Sequence, residues 1–332
     1  MRQRLANSPK FTPITCYSER LRPTMTQKLT AKAALFLCIP PVLWAGNAIV
    51  GRLVADQIPP MTLNFFRWVL ALAIVSPFLG VLWARRQTLS GATWRVVFLG
   101  LTGMGCYNSF QYLALQTSTA MNVTLVASSM PVWMLVIGRV FFKQQPAARA
   151  WVGASFSLLG VAVVLLQGDL TRFAQLKLVP GDAWMILATW AWATYSWLLS
   201  RPTPAQSELQ QDWLAYLMAQ MIFGVMWAGG FSAVEWTLPL ALGTPPPEIL
   251  WSGGLVLALA YVAICPALLA YRFWGAGVAI AGASTAGFFA NLTPLFAATL
   301  STLFLGEAPR AYHVVAFGLI ILGIVVSSGK RR

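Results

Sequence analysis

Acidic residues are scarce in this chain. It holds nine Asp and Glu against 23 Lys and Arg in 332 residues, with a single histidine, His313. Paired-carboxylate chemistry, a Ser/His/Asp arrangement and a His-rich metal centre all lack their raw materials. There is no H-E-x-x-H, no G-x-x-x-x-G-K-[ST] phosphate loop and no C-x-x-C, so neither a metal nor a cofactor is expected. Of the four cysteines, Cys38, Cys106 and Cys265 lie inside apolar runs and read as small packing residues. A secretory leader with an apolar core and a small-residue cleavage site is also missing from residues 1–30. Charge altogether is only 10% of the chain, far below the roughly 25% of soluble domains.

What fills the gap is apolar. Hydrophobic residues make up 58%, mean hydropathy is +0.68, and runs of membrane-crossing length recur from residue 33 to residue 328. The composition predicts an all-α polytopic membrane protein. Spans are expected near 33–51, 62–83, 96–115, 118–141, 150–168, 182–200, 213–230, 250–271, 276–305 and 311–328. The net charge of +14 does not point to nucleic acid, because the basic residues sit in tails and alternate loops instead of along a folded face. With the N-terminus inside, 18 of the 23 Lys and Arg fall on the inner side, counting Lys32. The positive-inside rule then places both termini in the cytoplasm. Residues 1–31 read as a disordered cytoplasmic tail, or as residues upstream of a start at Met25.

The chain also repeats itself. Residues 110–163 and 273–326 align without a gap at an offset of 163, pairing Pro131 with Pro294, Pro146 with Pro309, Leu159 with Leu322 and Gly160 with Gly323. The first halves match more weakly, Trp44-Ala45 against Trp192-Ala193. Each copy then holds five spans, and an odd number makes the second copy enter the membrane from the opposite side. Ten transmembrane helices as two inverted five-helix repeats, over 32–168 and 181–328, are a common plan of secondary transporters.

Several stretches, in order, resemble the EamA-type branch of the drug/metabolite transporter superfamily. They are LWAGNAIVGRL (43–53), IPPMTLNFFRW (58–68), NSFQYLALQTSTAMNVTLVASSMPVW (108–133), GDAWMILATWAWATYSWLLSR (181–201) and ANLTPLFAATLSTLFLGEAP (290–309). The resemblance implies solute transport, frequently metabolite or amino-acid export across a bacterial inner membrane. FKQQP at 142–146 departs from it, since many relatives carry an acid before that proline.

Polar groups inside hydrocarbon need partners and are the informative ones. The substrate-cavity candidates are Trp44, Asn47, Tyr107, Asn108, Gln111, Trp192, Tyr195, Asn291 and Thr293. For Asn47, Asn108, Gln111 and Asn291 a structural role competes evenly with a binding one. Arg67 and Glu307 fall toward the outer ends of their spans, as a gate pair or as helix-end anchors. No Lys, Arg, Asp or Glu is then expected at mid-depth, which argues against strongly anionic solutes. Aromatics with amides suit an amino-acid-like, uncharged or cationic amphipathic solute. The function expected is a secondary transporter of a small metabolite working by alternating access; a channel, a membrane scaffold and, last, a membrane enzyme are the alternatives. The partners expected are a small-molecule substrate and the lipid bilayer.

Overall fold

The computed structural model describes residues 29–118, 120–175, 179–305 and 311–328, and no strand occurs among them. The N-terminal tail up to residue 28 and Glu307 therefore lie outside the described residues. The helices of the described residues group into ten successive passes. Seven stretches are long and apolar enough to cross a membrane, among them Pro60–Ala84, Trp213–Ala241 and Gly253–Ala281. The other three are the third, sixth and ninth passes, and each supplies walls to the central cavity described below.

Repeat symmetry governs the helix breaks. The third pass runs as Arg86–Leu99, a wider π-helical turn over Gly100–Cys106, then Tyr107–Thr117. The eighth runs as Gly253–Val262, a π turn over Ala263–Leu269, then Ala270–Ala281. Both ends of the two π turns differ by 163 (263 − 100 and 269 − 106). A π turn frees backbone groups that need new partners. In the third pass the Met104 carbonyl accepts from Asn64 Nδ2 at 2.9 Å and Trp68 Nε1 at 3.1 Å. The Gly103 carbonyl accepts from the Tyr271 hydroxyl. The eighth-pass turn instead contains Pro266.

The paired prolines are placed where they do no harm. The fourth pass is Ala120–Ala127 followed by Met130–Val140, and the ninth is Ala283–Ala290 followed by Thr293–Leu305. Pro131 and Pro294 each fall second in the restarting helix. There a missing N–H costs nothing, because the first turn has no intrahelical acceptor for it. The helices break for two residues just before these prolines, at 128–129 and 291–292.

The fifth helix (Ala148–Leu165) and the tenth (Ala311–Ser328) meet at bare backbone. A Cβ added to Gly153 would lie 2.7 Å from the Gly323 carbonyl oxygen, and one on Gly160 would lie 2.9 Å from that of Ala316. Shifting 153 and 160 by 163 gives 316 and 323, so the two contacts are images of each other. In lipid such close packing replaces the hydrophobic drive.

The seventh helix, Trp213–Ala241, extends well past the end at residue 230 expected from sequence. Glu235, expected in a loop, lies within it and caps the second helix, Pro60–Val75. Its carboxylate accepts from the Met61 N–H at 2.9 Å, and from the Thr62 N–H and hydroxyl at 2.8 Å each. An anion here satisfies orphan donors and complements the helix dipole. Glu235→Ala is expected to cost about 1–2 kcal/mol, read as a lower midpoint in detergent denaturation, with Glu235→Gln losing less. At the opposite end, Arg95 Nε donates to Gln206 Oε1 at 2.9 Å, and Gln206 Nε2 donates to the Tyr216 hydroxyl at 2.8 Å. This ties the 201–212 loop, which holds the short helix Pro204–Gln210, onto the bundle.

Candidate functional site

Among the described residues, those that correspond between the two halves touch each other at three places. Asn108 Nδ2 donates to the Tyr271 hydroxyl at 3.2 Å across a separation of 163. Asn291 Nδ2 donates to the Ser128 carbonyl at 3.0 Å, again across 163. Trp44 and Trp192, paired by the weaker first-half alignment, meet edge-on at 5.1 Å. Equivalent residues of a two-fold object can meet only on its axis. For inverted repeats that axis lies in the membrane plane, so these six residues mark mid-depth.

A cavity of about 70 Å³ lies along this line. Trp44, Asn47, Tyr107, Asn108 and Gln111 wall it from the first half, with Ser128 and Thr124 beside them. Trp192, Asn291, Thr293 and Pro294 wall it from the second. Eight of the nine cavity candidates named from sequence thus surround one space. Tyr195 does not. It packs against Trp192 at 5.0 Å and lines a second cavity of about 110 Å³ with Tyr271, Tyr216, Gln220, Trp213 and Arg272. The second cavity is lined in part by Gln210 of the 201–212 loop.

Between the two stands an aromatic partition centred on Trp192, which is 1% exposed. Its ring contacts Trp44, Tyr107, Tyr195, Tyr271 and Trp274 at 4.7–5.5 Å. Drug-sized ligand sites start near roughly 300 Å³, so this conformation is nearly closed. The bundle is also latched at both ends, by Glu235 and by Arg95.

Arg67 corrects an expectation. It was placed near the outer end of its span, yet its guanidinium is buried and 1% exposed. Its NH1 donates to Asn108 Oδ1 at 2.9 Å, Asn47 Oδ1 at 3.1 Å and the Tyr112 hydroxyl at 3.1 Å. A basic group therefore does reach mid-depth. Asn64 and Tyr112, absent from the candidates, are buried too. The spacing of Asn64, Arg67 and Trp68 on one helix face was the signal available for Asn64.

Asn291 fills the ninth-pass break, donating to the Ser128 carbonyl and to Ser157 Oγ at 2.8 Å. Its Oδ1 is buried without a hydrogen bond. The Ser128 carbonyl fixes the amide orientation, since a flip would set oxygen against oxygen. No group of three or more metal-ligating side chains occurs among the described residues.

Comparison with known proteins agrees with this architecture. The EamA-like transporter family matches the chain twice, over residues 31–166 and 179–329. An uncharacterized transporter of Archaeoglobus fulgidus is 26% identical over 92% of this chain and 100% of its own length. A probable terminal-alkyne amino-acid exporter of Streptantibioticus cattleyicolor is 22% identical, covering 91% of this chain and 96% of that protein. A solved crystal structure at 19% identity superimposes with a TM-score of 0.64 over 90% of this chain and 96% of that one.

Proposed function

Because the chain belongs to the EamA-like transporter family, we propose that it exports a small amphipathic, amino-acid-like metabolite by alternating access at the axial cavity. The observation that carries this reading is the meeting of repeat-equivalent residues around that space. A site on the axis is reached equally from either side when the halves exchange conformations. The amides of Asn47, Asn108 and Gln111 offer a polar end, and Trp44, Tyr107 and Trp192 an aromatic wall. The Streptantibioticus relative, named for an amino-acid exporter, supports the solute class and the direction. The inner-side excess of Lys and Arg supports cytoplasmic termini, and membership of the transporter family supports a plasma (inner) membrane location. The partition at Trp192 favours a carrier over an open channel, since the two cavities are walled from each other.

The test is counterflow of labelled aromatic and aliphatic amino acids in proteoliposomes, with and without a proton gradient. Saturable exchange of at least one of them is expected. Flux that rises linearly with concentration and never saturates would favour a channel and sink the carrier reading.

A further inference from the structure

Arg67 is a buried cation surrounded by neutral groups. The hydrogen bonds of its guanidinium go to two amides and a phenol, and its Nε has none. Among the described residues no carboxylate pairs with it; the one ion pair there, Asp169 with Arg172, is in a surface loop. A charge held at mid-depth without a counter-ion is unfavourable.

The arginine also dictates how the neighbouring amides face. Both Asn47 and Asn108 turn their oxygens to NH1, so their N–H groups point away from it. The Asn47 amide nitrogen then donates to Gln111 Oε1 at 3.3 Å. With its oxygen engaged, Gln111 presents Nε2 to the cavity it lines, and that nitrogen donates no hydrogen bond among the described residues. Among the described residues neither Asp nor Glu lines the cavity. The polar end is therefore built to donate, under a positive charge one amide away.

We propose that this end receives a carboxylate of the substrate, with Gln111 Nε2 as the contacting donor and Arg67 as the positioning residue that orients the amides and supplies the compensating charge. This rests on the carrier reading above and narrows its solute class. An anionic head is selected, and a solute whose only polar group is an amine is rejected. Hydrogen bonds to a charged acceptor are about twice as strong as neutral ones, and chained amides reinforce them. The earlier expectation against anionic solutes assumed that no basic group stood at mid-depth, and Arg67 removes that premise.

Competition against labelled substrate in proteoliposomes tests it with three matched probes: 3-phenylpropanoate, its primary amide and 3-phenylpropylamine. The acid is expected to compete at least tenfold better than the amide, and the amine least. Arg67→Lys should keep the acid-over-amide preference, whereas Arg67→Met should bring the ratio close to one. A purely structural arginine would weaken both probes equally and leave the ratio unchanged, overturning the proposal. Gln111→Glu provides a second route that leaves Arg67 and its bonds to both asparagines in place. It should invert the preference toward the amine, and an unchanged order would count against the assignment. Equal competition by all three probes, or by chloride as well as by the acid, would reject the carboxylate while leaving transport intact. Absence of saturable uptake of any labelled solute would instead reject the carrier reading itself.

Discussion

Gly323→Val is expected to separate the fifth and tenth helices and to cost about 3 kcal/mol or more. A Cβ at position 323 would lie 2.6 Å from the Gly153 carbonyl oxygen, 3.0 Å from the Ser157 nitrogen and 3.1 Å from the Ser157 Cβ. Two of these three neighbours are backbone atoms of a helix, which cannot swing aside as a side-chain tip can. Relief requires moving one helix axis outward, and that breaks the image contact at Gly160 as well. Gly318 in the same helix supplies the control, because a Cβ there would meet nothing within 4 Å. Gly318→Val should leave the protein unchanged within a few tenths of a kcal/mol. Thermal unfolding of both variants in detergent, read by size-exclusion recovery, is the measurement. Equal melting of the two would refute the contact.

Trp192→Ala should lose on the order of 3–5 kcal/mol. The indole is buried and bounded by five other rings, so no neighbour is free to collapse into the vacated space. In a bilayer the lost term is packing more than transfer from water, and the void left behind dominates it. The functional effect follows from position. Removing the partition joins the cavity beside Asn47 to the one beside Tyr216, and counterflow should give way to unsaturable leak. Trp192→Phe keeps most of the partition and should retain saturable exchange. A Trp192→Ala protein that melts like the parent and exchanges normally would show that the ring divides nothing.

The passes, the repeat and the polar amides were legible because each has a one-dimensional signature. Apolar length marks a span, the 163-residue offset marks a duplication, and an amide within hydrocarbon marks a buried partner. Reach has no such signature. Arg67 was positioned by counting from its span end, yet a long side chain carries its charge several ångströms from its Cα, and here it runs inward to Asn108. Glu235 was read as a loop residue because charge usually ends a span. Its partners lie in the second helix, more than 170 residues away in sequence. The π turns were hidden for a related reason. GLTGMGC and AICPALL share little beyond position, and the extra residue per turn is held by tertiary partners such as Asn64 and Trp68. Pro294 marks a break by its local rule, but the helix start one residue before it cannot be seen from the sequence.

The two π turns are equal in place and unequal in restraint. The one in the third pass is clamped through Met104 and Gly103 by Asn64, Trp68 and Tyr271, while the one in the eighth carries Pro266. Exchange of the halves would therefore convert this conformation into a state of different energy, not its two-fold equivalent. Under the proposed alternating-access reading, the empty carrier would rest mostly on one face of the membrane. Its half-saturation concentrations then differ inside and out, while its maximal rates compensate in proportion. Without a coupled gradient, the solute still settles at equal activity on both sides.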